Sequence, residues 1–197
     1  PVVMVSAKAG GVENVMSAAW ACALDYAPAR VTVVLDKGTF TRGLLEQSGW
    51  FALQVPLAAQ AETVLAVGSQ SRKNNPAKLA DCGVELFYQA GFDVPLVQGC
   101  GAYLICRLLP EPHNQQTYDL FIGEVAAVWA DDRVYADGRW LFDSMPDELK
   151  TLHYVGNGLF CEFNTKGIER GDLKSRNESY RIALGRAGEP GWMTVNE

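Results

Sequence analysis

Apolar positions fall in short runs separated by glycine, proline and polar breaks, and the runs favour β-branched residues. Residues 2–6 are continuously apolar up to Ser6 and predict a strand. That run gives way to Lys8-Ala-Gly-Gly-Val12, a glycine turn signal that suits a hairpin, and residues 15–22 continue as a second strand of small and apolar side chains. The pair Ala27-Pro28 breaks the chain before residues 30–36, where Val31, Val33 and Leu35 alternate with Thr32, Val34 and Asp36, the period of a strand. Residues 41–48 carry Leu44 and Leu45 and predict a short helix closed by Gly49, with a strand over 50–56 behind it. Residues 58–67 have a helical pattern. After a loop at 68–75, a helix of one to two turns is expected with Asn75 as N-cap and Pro76 as its first residue. Strands are expected at 102–109 and 118–130, and a helix near 146–152. Residues 185–197 read as a mobile end.

Strands separated by short helices are compatible with a parallel βαβ sheet. The tight glycine turn between the first two strands and the shortness of the helices favour an antiparallel barrel, a mainly β fold with short helices. The 197 residues read as one domain, with a barrel core over 1–130 and an extension over 131–197, and no internal repeat interrupts them.

Composition narrows the partners. Lys+Arg 17 against Asp+Glu 23 gives a formal net charge of −6, which argues against extended contact with a nucleic-acid backbone, so an anionic ligand needs a local cluster of cations. No apolar stretch reaches the roughly 20 residues that span a bilayer, and the start of the chain lacks the charged opening and long apolar core of a secretory signal. A cytoplasmic protein is expected, and the abrupt apolar opening leaves room for a segment ahead of Pro1. Cys22, Cys82, Cys100, Cys106 and Cys161 include no CxxC pair and read as buried, reduced thiols.

The stretch Asp36-Lys37-Gly38-Thr39-Phe40-Thr41-Arg42 holds two cations and two hydroxyls between a strand and a helix start. N–H groups at a helix start are unpaired and carry partial positive charge, so a phosphate can sit there with Lys37 or Arg42 neutralising it and Thr39 and Thr41 donating to it. An ordinary capped loop, with Thr39 or Thr41 as N-cap, is the alternative. Gly99-Cys-Gly101 precedes a strand rather than leading from one into a helix, so a dinucleotide fingerprint fails. His113 and His153 lack a second ligand at metal spacing and read as packing residues, and no GxSxG elbow is present. The tryptophans Trp20, Trp50, Trp129, Trp140 and Trp192 read mainly as core, although aromatic walls also suit a planar ligand.

Residues 1–56 resemble the opening of the flavin reductase-like, FMN-binding split-barrel family. They show an apolar strand, a glycine hairpin, an Asn14-Val-Met16-Ser17-Ala-Ala-Trp20 segment, an x-Pro break, a β-branched strand, and a hydroxyl-bearing loop entering a helix. Residues 69–79 are similar to the family's second, serine-containing loop, and YDLFIGEV at 118–125 to its late strand. LHYVGNGLF at 152–160 is similar to the flavoredoxin branch.

The resemblance implies a six-stranded antiparallel split barrel acting as a homodimer, with FMN near the subunit interface. Asn14, Val15, Met16, Ser17 and Ala18 then lie along the flavin's ring and ribityl chain. Leu35, Asp36, Lys37, Thr39, Thr41 and Arg42 fall at the phosphate, with Ser69, Ser71, Arg72 and Lys78 in the second loop. The implied function is an oxidoreductase moving electrons from NAD(P)H through FMN to a flavin, metal or protein acceptor. Many members place an Asp-His pair shortly before Gly-Glu-Val, linked there to nicotinamide handling. Here the stretch reads Tyr118-Asp119-Leu120-Phe121, with His113 upstream and out of register. That departure leaves a flavoredoxin-like FMN carrier, exchanging electrons with a redox partner protein without direct NAD(P)H turnover, as the alternative. For the extension over 131–197, Trp129, Trp140 and Tyr154 are the aromatics expected to cover the flavin.

Overall fold

A computed structural model of the chain describes residues 1–157 and 159–162. The mobile end expected at 185–197, with Trp192, lies outside the described residues. In chain order the elements are β1 (Val3–Ala9), β2 (Val12–Ala18), β3 (Ala21–Tyr26), β4 (Ala29–Val34), α1 (Phe40–Ser48), β5 (Trp50–Val55) and α2 (Ala61–Ser69). They continue as α3 (Lys78–Asp81), a short pair β6 (Leu86–Phe87) and β7 (Leu96–Val97), β8 (Ala102–Leu109), α4 (Pro112–Thr117) and β9 (Leu120–Ala130). Two hairpins follow, β10 (Tyr135–Ala136) with β11 (Arg139–Trp140), and β12 (Leu152–Gly156) with β13 (Leu159–Glu162).

The main sheet is antiparallel throughout, in the order β2-β1-β5-β8-β9-β4-β3. Its two outer strands, β2 and β3, are consecutive in the chain and joined by Ala19 and Trp20 alone. Two residues span on the order of 10 Å, so the sheet has to roll until the end of β2 lies near the start of β3, which curls it into a barrel. The one strand expected over 15–22 is therefore two: the run leaves the β1 edge after Ala18 and rejoins the far edge at Ala21, and the six expected strands become seven. The opening hairpin closes through Gly10 and Gly11, both at positive φ (57° and 76°), as a two-residue primed turn requires.

The first strand lacks alternation because it is buried on both faces. Val3, Val5 and Ala7 point into the barrel with Val31, Val33, Phe51, Leu53 and Phe121, beneath Leu44 and Leu45 of α1. Val2 and Met4 point outward, under Val64 and Val67 of α2. Gly123, the glycine of Gly-Glu-Val, faces the Phe51 ring, whose Cζ would lie 2.4 Å from a β-carbon there. Trp50 and Trp129 pack edge to face on either side of Phe92 on the sheet's outer surface, at 6.0 and 6.1 Å. Trp140 stacks on Phe142 at 5.6 Å, in a separate cluster around Leu57, Val134 and Met145.

Several local expectations shift. Asn75 Oδ1 accepts the Ala77 N–H at 3.0 Å, but it caps a turn, and the helix begins at Lys78. The helix expected near 146–152 is a 3₁₀ turn over Asp147–Leu149, after which Leu152 enters β12. Cys22 and Cys161 are exposed and Cys82 half-buried, so burial holds for Cys100 and Cys106 only; all five are free thiols. Among the described residues no helix is long and apolar enough to cross a membrane.

Candidate functional site

α1 starts at the barrel rim beside the edge strand β2. Thr39 occupies its N-cap with extended backbone, yet its hydroxyl donates to the Asp36 carbonyl at 2.8 Å instead of accepting a helix N–H. The Asp36 carboxylate accepts the Gly38 N–H at 2.6 Å, which shapes the turn from within. Among the described residues no side chain caps the α1 N–H groups, and its first turn holds no acid, so a positive end of backbone dipoles stays open.

Asn14 of β2 and Thr41 of α1 meet across this opening, the Asn14 amide donating to Thr41 Oγ1 at 2.9 Å. Both are buried, and the other end of the Asn14 amide, Oδ1, has no hydrogen-bond partner among the described residues. An unpaired buried acceptor is costly unless a donor reaches it. Lys78 approaches from the opposite wall. Its side chain is 1% exposed and its ammonium donates to the Val15 carbonyl at 2.8 Å. Among the described residues three cations are buried: Arg42 holds Glu46 and Asp119, Lys150 holds Asp147, and Lys78 has no carboxylate partner there. Burial accordingly lowers its pKa from the ordinary lysine value, against a smaller opposing influence of Cys82.

These groups enclose a cavity of about 210 Å³ that also takes in Met16, Gly38, Phe40, Gly68, Ser69 and Ser71. A second cavity, of about 240 Å³, shares Gly68 and Ser69 with it and runs along Ser17, Ala18 and Ala19 to Tyr154 and Phe160. Gly68 allows α2 to approach β2 this closely: a β-carbon there would lie 2.1 Å from Ser17 Oγ. Together the pair forms a groove with a polar, cationic pole and an apolar, aromatic-walled arm, within the size range of small-molecule sites.

The expected site residues thus divide. Asn14, Met16, Thr39, Thr41, Ser69, Ser71 and Lys78 line the first cavity, and Ser17, Ala18 and Ser69 the second. The side chains of Val15 and Leu35 are buried in the two cores, and only their carbonyls are turned to Lys78 and Arg42. Asp36 is consumed by its turn, and Arg72 donates to the Glu13 carbonyl, tying the second loop to β2. Lys37, its side chain 65% exposed and 3.9 Å from Asp119, lies with Arg42 along a different, open cavity on the far side of the Thr39-Phe40 segment. Lys73, absent from the expected set, donates to the Gly38 carbonyl at 2.8 Å and pins the second loop to the anion turn. Gly68 and Phe160 were also missed; Gly68 lies inside α2, which runs on to Ser69, and not in the loop expected from residue 68. Of the aromatics expected as cover, Trp129 and Trp140 belong to the packing clusters and Tyr154 lines the groove.

The profile of the flavin reductase like domain matches residues 1–151. An uncharacterized protein of Escherichia coli K12, YddH, is 41% identical over 148 residues, 75% of this chain and 77% of its own. The crystal structure of an FMN-binding domain of a flavin reductases-like enzyme from Shewanella baltica OS155 superposes with a TM-score of 0.84 at 51% identity, over 86% of this chain and 88% of that one. The flavoredoxin of Desulfovibrio vulgaris (Miyazaki F) shares the fold, with a TM-score of 0.73 at 20% identity over 88% and 92% of the two chains.

Proposed function

This chain belongs to the flavin reductase-like family, and from that premise we propose that it binds FMN in the β2–α1–α2 groove as a flavin-dependent oxidoreductase that takes electrons from NAD(P)H. The buried Lys78 ammonium, which has no carboxylate partner among the described residues, carries the reading, because the anion of a ligand offsets the cost of burying such a charge. The uncapped start of α1 faces the same cavity, and the open end of the Asn14 amide suits a ribityl hydroxyl. Bound FMN supplies the capacity to accept a hydride and release electrons singly or in pairs. The chain supplies position and charge: Lys78 and the α1 turn hold the phosphate, backbone groups of Met16 to Ala18 read the flavin edge, and Tyr154 and Phe160 wall the apolar arm.

A homodimer belongs to the same proposal. Trp20, Leu24 and Tyr26, exposed by 74%, 52% and 92%, give the β3 edge an apolar surface that a second copy would cover. Asp119, in the stretch that differs from the family's Asp-His pair, has its carboxylate held by Arg42 at 2.5 Å, and His113 packs edge to face on Tyr118 at 5.6 Å. Neither is placed as that pair, so nicotinamide turnover is the part of the proposal to test first.

The purified protein should show the visible absorption of oxidised flavin. Added FMN at about 100 times its dissociation constant should stabilise the fold by about 2.7 kcal/mol, a rise in Tm of roughly 5–10 °C. A colourless protein whose melting FMN leaves unchanged refutes the flavin reading. Anaerobic bleaching by NADH or NADPH supports the reductase; flavin that bleaches with dithionite and with neither nicotinamide identifies a carrier instead.

A further inference from the structure

Arg42 lies three residues into the helix whose start receives the phosphate, and its guanidinium is turned away from that cavity. We propose that Arg42 and Asp119 form a clasp that fixes the first turn of α1 against the barrel, making Arg42 a positioning residue for the flavin phosphate and not a ligand to it; the proposal rests on the flavin reading above.

Each guanidinium nitrogen is engaged. Nε donates to Glu46 at 2.9 Å, Nη1 to the Asp119 carboxylate at 2.5 Å and to the Leu35 carbonyl at 3.0 Å, and Nη2 to the Gln115 carbonyl at 2.8 Å. The group also lies over the Phe121 ring, 5.0 Å from its centroid, and its side chain is 8% exposed. The partners belong to the end of β4, to α1 itself and to the corner between α4 and β9. A planar fork with fixed donor directions ties such separate segments together in one geometry, which a lysine's single ammonium does not.

Asp119 closes the clasp from the other side. Its backbone is left-handed (φ 55°), and its carbonyl accepts the Leu35 N–H at 2.9 Å while its carboxylate holds Arg42. One residue thus holds both the chain leaving β4 and the helix that chain enters. Residues 36–39, which join the two, are bonded mainly within their own turn, by Asp36 to Gly38 and Thr39. Those bonds shape the turn without orienting it on the barrel. Orientation comes from Asn14 on Thr41 at one flank, Lys73 on Gly38 at the second loop, and the Arg42–Asp119 clasp at the other flank. Anion binding at a helix start depends on where its N–H groups point, so a turn released on one flank should lose the phosphate while the apolar arm along Ser17 and Ala18 is left intact.

The test compares Asp119→Asn, which keeps the shape and tolerates the left-handed backbone, with Arg42→Lys, which keeps the charge and loses the fork. Dissociation constants for FMN and riboflavin are measured by flavin fluorescence, and amide exchange at Gly43 and Leu44, the first amides bonded within the helix, is followed in flavin-free protein. Both variants should weaken FMN about tenfold or more and leave riboflavin within about twofold, and Asp119→Asn should speed exchange at the two amides about tenfold with β5 and β8 unaffected. If Asp119→Asn binds FMN as tightly as the wild type or more tightly, Arg42 is a phosphate ligand restrained by Asp119 and the clasp is refuted. Equal losses for FMN and riboflavin refute it too, as a general loosening. A wild-type protein that binds no FMN sinks the flavin reading separately, and unchanged exchange in Asp119→Asn then still sinks the clasp.

Discussion

Replacing Lys78 by Met tests the cationic pole directly, because Met fills a similar volume and removes the charge. In flavin-free protein the change deletes one hydrogen bond, from the ammonium to the Val15 carbonyl, worth about 1.5–3 kcal/mol. It also relieves a buried ammonium that no carboxylate among the described residues pairs with, a burden of several kcal/mol even after relaxation. The two effects oppose, and the second is the larger, so the flavin-free variant should melt at or above the wild-type temperature. With FMN the sign reverses: a charge-assisted hydrogen bond contributes about 1.5–3 kcal/mol, so the dissociation constant should rise about 10- to 150-fold, and that for riboflavin far less. Lys37→Ala is the control. Its exposed ammonium borders a different cavity, and removing it should cost FMN at most about fivefold. Fluorescence titrations with both flavins, alongside thermal melts, read all of this. An FMN loss under about threefold in Lys78→Met, or equal losses for FMN and riboflavin, refutes the placement of the phosphate beside Lys78.

The depressed pKa of Lys78 gives a pH signature. Between its folded value and the ordinary lysine value of 10.5 the unfolded chain binds more protons, so this group makes flavin-free protein more stable as pH rises through that window. FMN binding needs the protonated form and should weaken across the same window, and Lys78→Met should flatten both trends; a wild-type FMN affinity independent of alkaline pH counts against the role. Gly68→Ala, whose methyl would meet Ser17 Oγ at 2.1 Å, should lose about 1–3 kcal/mol in urea denaturation. Combining it with Ser17→Ala should recover nearly all of that, since Ser17 Cβ lies at an ordinary 3.5 Å and alanine favours the helix; a single variant as stable as wild type sinks the close-approach account. With a thiol reagent at neutral pH, exposed Cys22 and Cys161 should react promptly, while Cys100 and Cys106, both pushed up to about 12 by burial, should wait for unfolding. Prompt reaction of Cys106 in the native protein would contradict its place inside the barrel.

The strands of the barrel were legible where local pattern and tertiary role agree. The alternation at Val31, Val33 and Leu35 is the inward face of β4 and of the residue that follows it, written directly into the chain. The Gly10-Gly11 hairpin was equally legible, because its turn geometry demands those residues. The division at Ala19-Trp20 was not. Residues 15–22 are uniformly able to form a strand, and only the curl of the sheet, which brings the end of β2 near the start of β3, forces the chain to change partners. The small hairpins after residue 130 were missed for a related reason: two-residue strands carry no period, and β10 and β11 are held by packing of Tyr135 and Trp140 in the cluster around Leu57.

The site divides along the same line. Its backbone part, the open start of α1, follows from a local rule about helix ends and was found as such. Its charge is expected first at Lys37 and Arg42, neighbours of that helix start in sequence, with Lys78 expected only as part of the second loop, and nearness along the chain is a poor guide to which cation is unsatisfied. Arg42 is captured by carbonyls and a carboxylate 7 to 77 residues away, Lys37 points to solvent beside Asp119, and Lys78 reaches the cavity from 63 residues beyond Val15. What distinguishes Lys78 is a property no residue type encodes: an ammonium taken out of water with no carboxylate partner among the described residues. Carboxylates stabilise the other two buried cations within the fold, so these need nothing more. For Lys78 an anion brought from outside closes the balance, and the Asn14 Oδ1 across the same cavity, unpaired among the described residues, suits a hydroxyl on that same ligand. A sugar-alcohol phosphate chain answers both demands at once, which an inorganic anion or an uncharged flavin cannot do.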